Sequence, residues 1–105
     1  MVEIPDKIKL ILNKYLASLN ENNIPIQKAV LFGSYANGSY NEWSDIDVAL
    51  VSNIFEGIRI KDRDKIRRIT LAISYQIEVM PYKPEDFTTD DPFVNEILET
   101  GIHIV

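Results

Sequence analysis

The N-terminal part of the chain carries apolar residues at intervals of three or four positions. These residues are Ile8, Ile11, Leu12, Tyr15 and Leu19. Such spacing places all of them along one face of an α-helix. Pro5 suits the first position of a helix, Asp6 suits the positive end of the helix dipole, and Pro25 follows the polar run that ends the pattern. The pattern therefore predicts an amphipathic helix over residues 5–20.

Short apolar runs further along the chain are typical of β-strands. The run AVLF, residues 29–32, is continuous, as expected of a strand buried on both faces. The runs DIDVALV (45–51) and QIEVMPY (76–82) predict two more strands, and we expect Pro81 to stop the second of these. The closing IHIV (102–105) predicts a fourth strand at a sheet edge.

Two further helices follow from the same kind of pattern, one over residues 60–75 and one that begins at Pro92 and ends at Gly101. The residues expected on their inner faces are Ile66, Ile69 and Ile73 in the first helix and Phe93, Ile97 and Leu98 in the second. Between the first two strands, Gly33-Ser34 predicts a turn and Gly38 the end of a very short helix. The order of elements predicts an α+β (mixed α/β) fold with one small mixed sheet of three to four strands.

Composition narrows the class of protein. The 105 residues suffice for one domain, over residues 1–105, and the net charge of −5 argues against a nucleic-acid-binding role for the molecule as a whole. No apolar run reaches the ~20 residues that a membrane span needs. The absence of cysteine excludes disulfides and zinc–thiolate sites, and it is consistent with a cytoplasmic location.

One segment departs from the acidic balance, because six of the eleven Lys and Arg residues fall in RIKDRDKIRR, residues 59–68. Asp62 and Asp64 interrupt the run, which favours an ordinary solvated helix face. A surface that attracts phosphate or docks a partner is the alternative.

Candidate chemistry lies in the second and third predicted strands. Side chains alternate along a strand, so Asp45 and Asp47 point to one face, with Cβ atoms about 6–7 Å apart. Like charges at this separation need compensation, and a hard cation such as Mg²⁺ supplies it. Glu78 lies in the next strand and reaches the same place if the two strands are neighbours. Acids that hold two ions about 3.5–4 Å apart serve phosphoryl transfer, and Glu78 completes the metal shell or accepts a proton.

The Gly33-Ser34 turn supplies a second part of such a site. A strand that ends at Gly-Ser and enters a helix presents free backbone N–H groups and a hydroxyl, which suit a triphosphate. Alone the dipeptide is a weak signal, but its fixed spacing from Asp45 and Asp47 strengthens it.

The segment GSYANGSYNEWSDIDVAL, residues 33–50, resembles the signature of the DNA polymerase beta-like nucleotidyltransferases, in which Gly-Ser precedes Asp-x-Asp by ten residues. Among these proteins the chain is most similar to the minimal nucleotidyltransferases, whose whole chain is the catalytic palm. The resemblance implies that Gly33 and Ser34 bind the nucleotide phosphates. It implies equally that Asp45, Asp47 and Glu78 are the catalytic residues and the ligands of Mg²⁺, with two ions expected.

The reaction implied by this resemblance is attack of an acceptor hydroxyl on the α-phosphorus of ATP or a similar nucleotide, with pyrophosphate leaving. Minimal members are often encoded beside a small helical protein of the HEPN type, and the pair resembles a toxin and its antitoxin. The expected partner is therefore a HEPN-type protein that receives AMP, in a homo- or hetero-oligomer without membrane or direct nucleic-acid contact.

The chain departs from the family pattern at two positions. Asn37 stands where the family usually has Arg or Lys, and Glu78 stands where Asp is commoner. These departures leave two alternatives open, namely a catalytically weak nucleotide-binding antitoxin or scaffold, and a transferase that acts on an aminoglycoside-like small molecule. The loop aromatics Tyr40 and Trp43 are expected to pack or to line the rim, with base stacking as the alternative, and His103 is expected to be a strand or surface residue.

Overall fold

The computed structural model describes residues 3–105 and contains the predicted elements in the predicted order. The helices are α1 (Asp6–Glu21), α2 (Ser34–Asn37), α3 (Arg59–Ile73) and α4 (Pro92–Thr100), with one 3₁₀ turn at Pro84–Asp86. The strands are β1 (Lys28–Phe32), β2 (Ile46–Val51), β3 (Ile77–Tyr82) and β4 (Ile102–His103). Predicted and observed boundaries agree within two residues for every helix and strand.

The four strands form one mixed sheet in the order β3-β2-β1-β4. Strand β1 is antiparallel to both of its neighbours, and β2 is parallel to β3. The parallel pair is joined through helix α3, as a crossover connection requires. Strands β3 and β4 are the two edges, and the latter is the C-terminal edge strand that the sequence predicts.

Alternating residues of the sheet bury two separate apolar layers. Ile46, Val48 and Leu50 of β2 pack on one side with α1 and α3, whereas Ala49 and Val51 face the other side, where α4 packs. Strand β1 contributes to both layers, which confirms the prediction that it is buried on both faces.

Helices α1 and α3 are joined by a buried hydrogen bond between Tyr15 and Thr70, 2.6 Å long. The Thr70 hydroxyl donates to the carbonyl of Ile66, so the phenol of Tyr15 donates to Thr70. Burial raises the pKa of Tyr15 to about 12, although the bond to Thr70 acts in the opposite direction. Tyr15 therefore stays protonated, and its hydrogen bond holds α3 against α1.

Asp62 is fully buried, which the solvated-face interpretation of residues 59–68 does not predict. Its carboxylate accepts hydrogen bonds from the backbone N–H groups of Glu56 (2.8 Å) and Gly57 (2.9 Å) and lies 3.5 Å from the ammonium of Lys65. A buried carboxylate is stable when its oxygens are satisfied in this way. Asp62 thereby fixes the loop between β2 and α3.

Pro81 does not stop β3, contrary to the sequence-based prediction, because the strand continues to Tyr82. The N–H of Ile46 donates to the carbonyl of Gln76, and the N–H of Ser52 donates to the carbonyl of Tyr82. The backbone N–H and C=O groups of the even-numbered residues of β3 therefore point towards β2. Odd-numbered residues then face the open edge, where the missing N–H of Pro81 breaks no ladder hydrogen bond.

Helix α4 also differs from its prediction in one respect. Val94 and Ile97 are its buried residues, whereas Phe93 is 44% exposed and contacts Phe32 edge to face, with ring centroids 5.8 Å apart. The helix begins at Pro92, as predicted. The side chain of Asp91, just before it, accepts hydrogen bonds from the backbone N–H groups of Phe93 and Val94. Among residues 3–105, no helix combines the length and the apolar character that a membrane crossing demands.

Candidate active site

The chain turns sharply between β1 and α2, at what we call the glycine corner, Gly33-Ser34. Gly33 has φ 74° and ψ −151°, a backbone conformation that side-chain-bearing residues rarely adopt. Gly38, with φ 86°, ends the four-residue helix in the left-handed conformation. Both features confirm the turn and the very short helix that the sequence predicts.

Glycine is also the only residue type that fits at position 33, beside Asp47. A Cβ atom built on Gly33 would overlap the carboxylate of Asp47, and its distance to Cγ would be 3.1 Å. The backbone of the glycine corner therefore lies directly against the Asp47 side chain. This contact joins the candidate phosphate-binding corner to the candidate metal ligands.

The sheet places Asp47 between two strands that both contribute to the site. Asp47 is paired with Phe32 of β1 on one side and with Glu78 of β3 on the other. Paired residues of adjacent strands project to the same face, so Asp47 and Glu78 are side-by-side neighbours. Asp45 is exposed and precedes the first residue of β2. The predicted adjacency of the Asp45-Ile46-Asp47 and Glu78 strands is thus found.

The electrostatic environment of Asp47 includes the two other acids, and we call the three residues the acid cluster (Asp45, Asp47 and Glu78). The pKa of Asp47 is raised above its ordinary value, first by burial and then by the negative charges of Asp45 and Glu78. Each of these effects disfavours the charged carboxylate. A cation placed among the three acids would reverse the two repulsive contributions.

Glu78 has a partner that the sequence does not reveal. Its Oε1 atom lies 3.0 Å from Nη2 of Arg63, and the two side chains are 51% and 42% exposed. Arg63 belongs to α3, on the opposite side of the sheet, and its long side chain passes the open edge of β3 to reach Glu78. The abundance of basic residues at positions 59–68 is the only sequence signal of this contact, and it does not single out Arg63.

The fit of the acid cluster to Mg²⁺ follows from its donors. Carboxylate oxygens are the ligands that hard cations prefer, and Asp47, whose pKa is raised first by burial, also lies close enough to Asp45 and Glu78 for their charges to raise it further. Within residues 3–105, no group of three or more Asp, Glu, His or Cys side chains is close enough to form a ready-made metal cage. The strands bring the acids to one end of the sheet, and binding would require their side chains to converge.

Asn37, where the family resemblance predicts a cation, is the last residue of α2 and is hydrogen-bonded to the residue that follows Gly38. Its Oδ1 atom accepts hydrogen bonds from the backbone N–H of Ser39 (2.9 Å) and from the hydroxyl of Ser39 (2.6 Å). Beside it, a groove of about 390 Å³ runs between the glycine corner and α4 and is lined by Phe32, Gly33 and Phe93 among others. Asn37 supplies this groove with no positive charge.

The loop that leads into Asp45 carries the aromatic residues. Tyr40 stacks on the buried Tyr35, with centroids 4.7 Å apart and ring planes at 18°. Trp43 is 82% exposed, and its backbone N–H donates a hydrogen bond of 2.7 Å to Oδ1 of Asn41. Tyr40 is therefore a packing residue in this loop, whereas Trp43 is largely exposed to solvent. His103 is an exposed residue of β4, as predicted.

Comparison with known proteins now supplies the family. The protein-family model described as "Nucleotidyltransferase domain" matches residues 12–103 of the chain. The chain belongs to this nucleotidyltransferase family. A relative from Methanocaldococcus jannaschii, named "Putative protein adenylyltransferase", is 32% identical over 83 residues, which are 75% of this chain and 79% of the relative. The resemblance that the Gly-Ser and Asp-x-Asp motifs carry is confirmed, and the chain is a nucleotidyltransferase.

Solved structures with this fold include a toxin–antitoxin determined with AMP-PNP, which aligns with a TM-score of 0.62 at 23% identity over 89% of this chain and 71% of that one. A structure from Sulfolobus solfataricus, described as a "putative nucleotidyltransferase", aligns with a TM-score of 0.58 at 17% identity over 98% and 89% of the two chains. At these identities the likeness concerns the fold, and it confirms the predicted mixed α+β architecture.

Proposed function

We propose that this nucleotidyltransferase moves AMP from ATP onto a hydroxyl group of a partner protein, in a reaction that depends on Mg²⁺. The observation that carries the proposal is the position of Asp47, which lies against the glycine corner on one side and beside Glu78 on the other. This arrangement brings a candidate phosphate-binding backbone and three carboxylates to one end of the sheet. Nucleotidyl transfer needs both, because the triphosphate must be held and its charge neutralised.

The glycine corner would bind the phosphates of the nucleotide. The first N–H groups of a helix have no acceptor within the helix, and those of Ser34 and Tyr35 occupy that position in α2. The absence of a Cβ on Gly33 lets phosphate oxygens approach the backbone closely. The hydroxyl of Ser34 adds a donor that rotates to suit the ligand.

The acid cluster would hold Mg²⁺ through Asp45, Asp47 and Glu78. Held by these residues, Mg²⁺ would supply neutralisation of the triphosphate charge. Glu78, on the outer strand of the pair, would accept the proton of the acceptor hydroxyl. The acceptor oxygen then forms a bond to the α-phosphorus, the bond from that phosphorus to the bridging oxygen of the β-phosphate breaks, and pyrophosphate leaves.

The acceptor that we propose is a small helical partner protein of the HEPN type, encoded beside this chain and silenced when AMP is attached. The support comes from the name of the Methanocaldococcus jannaschii relative, a protein adenylyltransferase, and from the toxin–antitoxin class of a structural neighbour. On this proposal the chain is an antitoxin that acts in the cytoplasm, where ATP and Mg²⁺ are both present.

The test uses ATP labelled at the α-phosphate, Mg²⁺ and the purified product of the adjacent reading frame. We expect label on the partner protein, pyrophosphate in solution, and neither product from the double variant Asp45→Asn with Asp47→Asn. Transfer by the double variant at the wild-type rate would contradict the assignment of both aspartates. A cooperative thermal unfolding transition, at the wild-type temperature or above it, serves as the control for folding of the variant.

A second candidate function is supported by the contacts of Asn37, which is hydrogen-bonded to Ser39, and of Glu78, which is paired with Arg63. Asn37 brings no positive charge to the nucleotide, and Arg63 neutralises the carboxylate that the chemistry requires. These features would suit a nucleotide-binding antitoxin that has lost transferase activity. Tight binding of ATP without release of pyrophosphate, in the presence of the partner, would favour this function over the first.

A further inference from the structure

A groove of about 420 Å³ runs between helix α3 and the open edge of β3, and we call it the α3–β3 groove. Apolar and basic side chains line it together. The ones that matter are Ile60, Leu71, Ile77 and Val79, with Arg63 and Arg67 between them. The nucleotide chemistry described above uses none of the apolar residues.

The helical wall of the groove is one continuous stripe. Ile60, Arg63, Arg67 and Leu71 are spaced by three or four residues, so they lie along a single face of α3. Ile60 is 76% exposed and Leu71 is 54% exposed, and Tyr75, beyond the helix end, is 88% exposed. Exposed apolar residues that line one groove, unlike scattered ones, are the mark of an interaction site.

The opposite wall is the outer edge of a sheet. Odd-numbered residues of β3 direct their backbone groups away from β2, which leaves the N–H and carbonyl of Val79 at the open edge. An edge strand of this kind accepts hydrogen bonds from another polypeptide segment. The groove therefore offers main-chain partners beside its apolar wall.

The groove is continuous with the acid cluster, because Glu78 lines it. The same carboxylate lies beside Asp47 in the sheet and would accept the acceptor proton. A segment bound along α3 would thus place one of its side chains at the reacting centre. Arg67 is available to such a segment, since its pair with Asp64 is 3.4 Å long and both side chains are more than half exposed.

We propose that the α3–β3 groove is the acceptor-docking site, and that it binds a polypeptide segment of the partner protein. The segment presents a Ser, Thr or Tyr hydroxyl to Glu78, an apolar side chain to Ile60 and Leu71, and a carboxylate to Arg67. This proposal rests on the proposed function, since it names where the protein acceptor of the AMP group binds.

The test compares the double variant Ile60→Arg with Leu71→Arg against Leu10→Arg, which changes a similarly exposed leucine (55%) on α1 outside the groove. Three quantities are measured for each protein: the Kd for ATP with Mg²⁺, the Kd for the protein encoded by the adjacent reading frame, and the KM and kcat for AMP transfer to it. We expect the groove variant to bind ATP normally, and to raise both the partner Kd and the KM by about tenfold or more, as loss of an interface anchor does. Leu10→Arg should match the wild type.

A groove variant with wild-type partner Kd and KM would overturn the docking site while leaving the proposed function intact. A wild-type protein that binds the partner without labelling it would instead overturn both the proposed function and the acceptor role of the groove. Folding of each variant is checked by its thermal unfolding curve, and both substitutions in the groove variant replace exposed side chains.

Discussion

Arg63 and Glu78 form an ion pair of 3.0 Å that links helix α3 to strand β3. The pair engages one of the three carboxylates that we assign to Mg²⁺ binding. Because both side chains are about half exposed, the pair contributes little to the stability of the fold, on the order of 0–1 kcal/mol. On the proposed function its main effect is local, since Arg63 would compete with Mg²⁺ for Glu78.

Removing this competition should strengthen metal binding. The variant Arg63→Gln leaves Glu78 without its counter-charge, so we expect a lower Kd for Mn²⁺, used as a spectroscopic substitute for Mg²⁺ in the absence of partner. Titration followed by electron paramagnetic resonance measures this Kd without relying on activity. Arg67→Gln is the matched control, because it removes an exposed arginine of the same helix whose pair is with Asp64 instead. Equal Kd values for the two variants would contradict the competition.

Acidity should affect stability through Asp47. Its pKa is raised in the folded protein by burial and by the charges of Asp45 and Glu78, so the folded state holds the Asp47 proton more tightly than the unfolded state does. The contribution of Asp47 to the free energy of unfolding therefore becomes less favourable as the pH rises through the window that begins near the ordinary value, roughly 3.9, and ends at the raised value.

The variant Asp47→Asn removes this dependence. We expect it to unfold at a higher temperature than the wild type at pH 7, and the difference should shrink as the pH falls below that window. Thermal unfolding by circular dichroism at several pH values, in a chelating buffer, measures the effect. A wild type that is the more stable protein at pH 7 would show that the negative charge of Asp47 is compensated in the fold.

Patterns along the sequence predict the elements well because each apolar stripe has only one way to become buried. The stripe of α1 and the continuous run of β1 both find the layers that their periodicities predict. The adjacency of Asp47 and Glu78 was predictable only on the condition that their strands are neighbours, and the helix between the two strands permits this because it can serve as the crossover of a parallel pair. For the same reason the acid cluster could be proposed before the structure was known.

Other contacts depend on distances between elements that are far apart in the sequence. The charge pattern of residues 59–68 does not show which side chain turns inward, yet Asp62 is buried against two backbone N–H groups and Arg63 passes the sheet edge to Glu78. The prediction that Pro81 stops β3 is wrong, because a strand can contain a proline whose missing N–H lies at the open edge of the sheet, and the sequence does not show that β3 is an edge strand. These features follow from packing geometry rather than from local preference.

Replacement of Gly33 tests the glycine corner. Gly33→Ala places a Cβ on a backbone with φ 74° and ψ −151°, which costs about 1–3 kcal/mol, and drives it into the carboxylate of Asp47. Gly38→Ala is the matched control, because Gly38 has a similar φ of 86° but ends α2 away from Asp47. We expect both variants to lose stability in chemical denaturation, and only Gly33→Ala to weaken ATP binding. Similar losses of ATP affinity in both would show that backbone strain, and not the contact with Asp47, is responsible.

Asn37 offers a gain-of-function test of the phosphate-binding corner. Asn37→Arg restores a positive charge one helical turn from Ser34 and exchanges the two hydrogen bonds with Ser39 for a guanidinium that can pair with phosphate oxygens. We expect a lower Kd for ATP, measured by calorimetry with Mg²⁺ present, and a larger decrease at low ionic strength, where charge pairs are less screened. Asn37→Ala removes the same loop hydrogen bonds without adding charge, so it isolates the effect of the cation. An unchanged Kd in Asn37→Arg would mean that the triphosphate does not pass this side of α2, and that its charge is met elsewhere on the chain.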